Sequence, residues 1–162
     1  MAIEFSADEV FAVAQKIERN GIAFYRQAAA ACRDDKLKRL LLELADMEAE
    51  HEQTFAGMRK QLTERQREAP VADPDDEAGL YLQAFAEGLV FDPDSAPEDL
   101  LGPSPSPGEI LHAAIGLEKD SIVFYVGIKN MVPRRRGQRR IEEILQEEMR
   151  HVTQLSDWLR SA

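Results

Sequence analysis

Residues 117–128 read LEKDSIVFYVGI, and residues 17–28 read IERNGIAFYRQA. Each places a glutamate, Glu118 or Glu18, at a core position of an apolar helical stripe. Each follows it with a Phe-Tyr pair, Phe124 and Tyr125 or Phe24 and Tyr25. The offset is one hundred residues. A buried carboxylate costs several kcal/mol unless it is paired, so its appearance twice in the same register calls for a partner.

Two further segments repeat the pattern. One carries its stripe at Leu37, Leu41 and Leu44, then Phe55, Met58 and Leu62, with Glu48 and His51 filling the gap between. The other has Ile141, Ile144 and Leu145, then Leu155, Trp158 and Leu159, with Glu148 and His151 in the gap. Steps of three and four residues mark one helix face, and a His three after a Glu shares that face. All four long segments therefore present a carboxylate where the periodicity demands a core residue.

Helix punctuation supplies the organisation. Ser6 with Glu9 forms a capping-box signature, opening a helix expected to reach about Cys32. A second is expected from Lys36 to about Arg65, a short amphipathic one over residues 78–91, a third from Ser106 and Pro107 to Val132, and a fourth from Gln138 to Arg160. No stretch shows strand alternation. The two hairpins are separated by about 40 residues, longer than an up-down bundle needs. The expected fold is thus all-α, a single 1–162 domain built as a four-helix bundle of two helical hairpins joined by a long crossover that contains a short extra helix.

Level positions can be read from the turns. In an antiparallel hairpin two residues are level when their mean falls at the turn: 18 and 48 average to 33, inside CRDD, and 118 and 148 average to 133, which is Pro133. Each pair lies about 22 Å from its turn at 1.5 Å per residue. Glu18, Glu48, His51, Glu118, Glu148 and His151 should converge. No core-stripe Lys or Arg is available to neutralise them, whereas two divalent cations carry the charge that four carboxylates require. Mixed oxygen and imidazole donors suit iron or manganese and also accommodate zinc or cobalt. His112 likewise follows a glutamate by three, but its counterpart one hundred residues earlier is Ala12. It is read as a surface residue near a helix start. Tyr25 and Tyr125, two turns along the stripe from Glu18 and Glu118, are expected either to hydrogen-bond a carboxylate of the opposite hairpin or to be ordinary core tyrosines whose hydroxyls reach another group.

Composition narrows the rest. A net charge of −10 argues against phosphate-backbone binding, and the one basic run, Pro133–Arg140, is read as a solvated turn offsetting nearby acids. The start MAIEFSADEV carries no signal-peptide pattern, and no uncharged run approaches the length of a membrane span. A cytoplasmic protein with neither nucleic-acid nor membrane partner is expected. A single cysteine, Cys32, excludes an internal disulfide or a cysteine metal knuckle.

Glu on the first helix, E-x-x-H on the second, Glu on the third and E-x-x-H on the fourth resemble the di-iron carboxylate signature of ferritin-like proteins. ELADMEAEH and LEKDSIVFY look most like the rubrerythrin branch. The resemblance implies two Fe ions per chain, with Mn or Zn as substitutes. It makes Glu18 and Glu118 terminal ligands, Glu48 and Glu148 bridging ligands, and His51 and His151 one imidazole per iron. It further implies a non-haem di-iron oxidoreductase that oxidises Fe(II) with H2O2 or O2, with Tyr25 and Tyr125 beside the site. Two departures qualify it. One cysteine leaves no rubredoxin domain, so an external electron donor is required. Ser121 stands where rubrerythrins carry a further glutamate, which moves the ligand set toward a ferroxidase. The alternatives are therefore a ferroxidase or iron-handling mini-ferritin, and a non-catalytic helical interaction bundle stapled by metal. The middle helix, with Tyr81, Leu82, Phe85, Leu89 and Phe91, is expected either to cover the bundle or to form a homodimer contact.

Overall fold

The computed structural model of the chain describes residues 5–71, 77–86, 100–132 and 135–161, without the side chains of Ala78, Ala86, Arg135 and Arg136. Among the described residues the structure is helical, with one isolated antiparallel bridge between Ser6 and Pro70 and no strand. The elements are α1 (Ala7–Ala31), α2 (Asp35–Lys60), α3 (Glu64–Glu68), α4 (Glu77–Ala86), α5 (Pro107–Ile128) and α6 (Arg135–Ser161).

The helix starts follow local chemistry. Ser6 accepts from the Glu9 amide while the Glu9 carboxylate accepts from the Ser6 amide at 2.8 Å, and Ser106 with Glu109 repeats the device at α5, where Pro107 occupies the first turn. Asp34 accepts from the amides of Lys36 and Leu37 at 2.8 and 3.0 Å and opens α2. These contacts satisfy amides that have no partner inside the helix.

Several boundaries differ from the periodicity reading. The second helix stops at Lys60 rather than continuing to Arg65, because Thr63 and Gln66 form a capping box of their own and restart the chain as α3. The third ends at Ile128 and tightens into a 3-10 turn over Lys129–Met131. The fourth begins at Arg135, so much of the basic run is helix rather than turn; Arg139 and Arg140 there pair with Glu143 at 3.6 and 3.5 Å. Pro133, Leu89, Phe91 and residues 92–99 lie outside the described residues. Leu82 and Phe85 of α4 are buried, and Phe85 packs on Phe124 with ring centroids 4.7 Å apart, so this helix covers the bundle.

The core has two lobes. One gathers Phe11, Phe55, Phe124, Ile141 and Leu145, and the other gathers Phe24, Leu41, Leu44, Leu111 and Leu155. Chain directions follow from these memberships. The C-terminal half of α2 lies in the first lobe and the N-terminal half of α5 in the second, so the connection between them must return the length of the bundle. Between the lobes sits a layer of buried polar side chains.

Candidate metal centre

Glu18, Glu48, His51, Glu118, Glu148 and His151 are all buried, each at most 4% exposed. α1 contributes Glu18, α2 contributes Glu48 and His51, α5 contributes Glu118, and α6 contributes Glu148 and His151. Their donor atoms fall into two overlapping groups. Glu18, Glu48, His51 and Glu148 offer atoms all within 4.8 Å of one another, and so do Glu48, Glu118, Glu148 and His151. Glu48 and Glu148 belong to both.

The atoms approach without bonding. His51 Nδ1 lies 3.4 Å from Glu148 and 3.7 Å from Glu18, and His151 Nδ1 lies 3.0 Å from Glu148 and 3.3 Å from both Glu48 and Glu118. Yet Glu18 Oε2, Glu48 Oε1, both oxygens of Glu148 and both Nδ1 atoms have no hydrogen-bond partner. Buried polar atoms are nearly always satisfied. A set of orphaned donors converging on two shared points is what cations between them would satisfy, so the residues present fit a pair of metal ions.

Outside this layer the groups are anchored. Tyr25 donates to Glu118 and Tyr125 donates to Glu18, each across to the other hairpin. His51 Nε2 contacts Glu147 Oε2 at 2.6 Å. His151 Nε2 has no partner. His112 is exposed, with Nδ1 at 2.8 Å from the Gly108 carbonyl, and joins neither group. The Ser121 hydroxyl donates to the Leu117 carbonyl at 3.1 Å.

The electrostatics carry the strain of this assembly. Burial, reinforced by Glu48, lifts Glu18 well above the usual carboxylate range, and burial with Glu148 lifts Glu118 to about 8. Burial opposes the charged imidazole of His51, but Glu148 and Glu18 outweigh it and raise the ring to about 12. At His151 burial is likewise overcome, by Glu118, Glu148 and Glu48, again to about 12. Left to themselves, Glu18, Glu118 and the two imidazoles hold protons in place of cations. Burial and the facing carboxylates also push both tyrosines well above the usual phenol range, so each hydroxyl is a donor.

The rubrerythrin family model matches residues 9–159. The chain belongs to the rubrerythrin family. No curated protein matches it. A crystal structure from Thermotoga maritima, of a candidate ferritin-like diiron-carboxylate protein, is 24% identical, spans 97% of this chain and 96% of its own, and superposes with a TM-score of 0.71. At that identity the likeness establishes the fold, which is ferritin-like. In this rubrerythrin-family chain, no helix among the described residues is long and apolar enough to cross a membrane.

Sequence reasoning missed Glu147. One helical step, about 100°, turns it off the stripe that carries Glu148, so periodicity gave it no signal. Gln15 and Glu52, buried together on α1 and α2 with a 2.9 Å hydrogen bond, also went unread.

Proposed function

We propose that the protein is a non-haem di-iron oxidoreductase that holds two iron ions in this layer and oxidises Fe(II) with H2O2 or O2. One observation carries the reading: two buried four-residue groups share Glu48 and Glu148. That arrangement supports Glu18, Glu48, His51 and Glu148 holding one ion, and Glu48, Glu118, Glu148 and His151 the other.

When bound, the iron pair supplies the electron chemistry toward the oxidant. The chain's own residues do the remainder. Tyr125 holds Oε1 of Glu18 and leaves its Oε2 facing the centre, and Tyr25 holds Oε1 of Glu118, the oxygen that also lies 3.3 Å from His151 Nδ1. The apolar lobes on either side exclude water, which strengthens every charge interaction in the layer. Cations bound there would displace protons from the imidazoles, Glu18 and Glu118, and Glu147, partly exposed and 2.6 Å from His51 Nε2, offers one polar edge toward solvent. Electrons come from an external donor, since Cys32 is the single cysteine. We further propose that the chain is a single domain and a cytoplasmic homodimer; solution mass checks the oligomeric state.

A second reading, iron oxidation rather than peroxide removal, is favoured by Ser121. Its short side chain, bonded back to Leu117, offers no seventh donor to the centre. Anaerobic Fe(II) titration of metal-free protein, followed by mixing with O2 and separately with H2O2, tests both. Two irons per chain and fast oxidation are expected, and the faster oxidant distinguishes the two activities. Two irons that stay ferrous would leave a metal-stapled bundle, and no tight binding would overturn the reading altogether.

A further inference from the structure

The two imidazoles are equivalent toward the centre and unlike behind it. Each presents Nδ1 to the carboxylates. Behind His51, Nε2 meets Glu147 Oε2 at 2.6 Å. Glu147 is a little over one-third exposed, and its other oxygen faces Arg150 at 3.7 Å. Behind His151, Nε2 is buried and has no hydrogen-bond partner among the described residues. The register explains the difference. Glu147 reaches His51 from the position just before Glu148, and the residue one hundred earlier, just before Glu48, is Met47.

A neutral imidazole that binds a cation through Nδ1 must carry its proton on Nε2. A carboxylate accepting that proton fixes both the tautomer and the ring orientation and makes Nδ1 a stronger donor. Glu147 does this for His51, and a thioether cannot do it for His151. The anionic side chain also adds a negative charge on the His51 side. We propose that Glu147 is a positioning residue that makes the two metal positions unequal, so that the group containing Glu18 and His51 fills before the group containing Glu118 and His151. The proposal rests on the two-metal reading above.

Removing such a partner weakens metal affinity by ~10- to 100-fold, and the two positions should differ by about that factor. Co(II) is a redox-stable probe, added anaerobically to metal-free full-length protein. Calorimetry counts the ions, and proton NMR reports which imidazole N–H resonance is shifted by the paramagnetic ion. Assignment uses the variants below. At one equivalent the shifted resonance should be that of His51, with that of His151 following at the second. Glu147→Ala should weaken the first step by ~10- to 100-fold and leave the second within about twofold. Glu147→Gln, whose amide oxygen still accepts from Nε2–H, should recover most of the loss. Met47→Glu is the reciprocal change and should strengthen the second step, closing the gap; its helical content and that of Glu147→Ala are checked by circular dichroism.

Two cobalt ions binding with both histidines shifted together at one equivalent would overturn the order while sparing the two-metal reading. So would a Glu147→Ala effect shared equally by both steps, or none. One ion or none in the unaltered chain would overturn the two-metal reading, and the order with it. Colorimetric activity plays no part in any of these outcomes.

Discussion

The two hairpins repeat each other inside and differ outside. At an offset of one hundred residues, the buried positions Ala14, Glu18, Phe24, Tyr25, Leu41, Leu44, Glu48, His51 and Phe55 match Ala114, Glu118, Phe124, Tyr125, Ile141, Ile144, Glu148, His151 and Leu155. One step outward the correspondence ends. In the first hairpin Gln15 and Arg19 both donate to Glu52, at 2.9 and 3.0 Å; the matching positions are Ile115, Lys119 and Val152. Arg59 and Arg67 clamp Asp8 and hold its carboxyl below the usual range, where the second hairpin has Leu159 and Gly108 opposite Arg59 and Asp8. The difference teaches where the constraint lies. A shared set of donors must be presented from both sides in one geometry, whereas each hairpin's outer surface can be stabilised in its own way.

The sharpest way to break the inner equivalence is to remove a shared ligand. Glu48→Ala and Glu148→Ala should each abolish loading of the second ion, reducing calorimetric stoichiometry from two per chain to one at most, and the two variants should behave alike. Two ions retained in either variant would show that the carboxylate does not serve both groups.

Acidity tests whether both halves hold protons where cations belong. Glu118, at about 8 in the fold against 4.5 ordinarily, keeps its proton after the unfolded chain has lost it. The metal-free fold therefore loses stability as pH rises from about 4.5 through about 8. His51 and His151, raised from 6.5 to about 12, act in the same direction above pH 6.5. Thermal midpoints of metal-free protein should fall steadily between pH 5 and pH 9. Cations replace these protons, so binding should release protons and tighten as pH rises. A metal-free midpoint that climbs over that range would contradict the protonated layer.

Much of this inner layer was legible because the periodicity of each helix left a gap that only Glu or His filled, and because turn arithmetic made the gaps level. The outer layer was not. Glu147 reads as one of many surface acids on a charged helix, and only the packing of α6 against α2 turns it toward His51. The break at Gln61–Thr63 was hidden by an apolar stripe that runs on through Leu62, although Thr63 and Gln66 carried the capping signal. The pairing of each tyrosine with the opposite hairpin's glutamate was readable as one of two options, since spacing alone does not tell where a hydroxyl ends.

Those tyrosines offer a smaller comparison. Tyr25→Phe removes the donor to Glu118, and Tyr125→Phe removes the donor to Glu18. Each leaves a buried carboxyl oxygen short of a partner and should cost about 1–3 kcal/mol. Denaturant unfolding of the two metal-free variants should give nearly equal losses. A gap wider than the range itself would place the asymmetry inside the ligand layer rather than behind it.

The smallest effect is expected at Gly21, where a further difference between the hairpins touches a ligand. Gly21 and Ser121 occupy matching positions one turn past Glu18 and Glu118. A Cβ on Gly21 would stand 3.3 Å from Glu48 Oε2 and 3.4 Å from its Cγ, tight enough that the carboxylate must give by a few tenths of an ångström. Alanine inside a helix gains up to ~1 kcal/mol over glycine, so Gly21→Ala should leave metal-free stability unchanged or slightly raised. Glu48 belongs to both groups, however, so cation binding should weaken by about 1 kcal/mol or less, a few-fold in affinity. Ser121→Ala loses only a bond to the Leu117 carbonyl and should alter neither quantity measurably. Opposite signs for stability and affinity at Gly21, with silence at Ser121, separate a residue that makes room for a ligand from one that merely fills its helix.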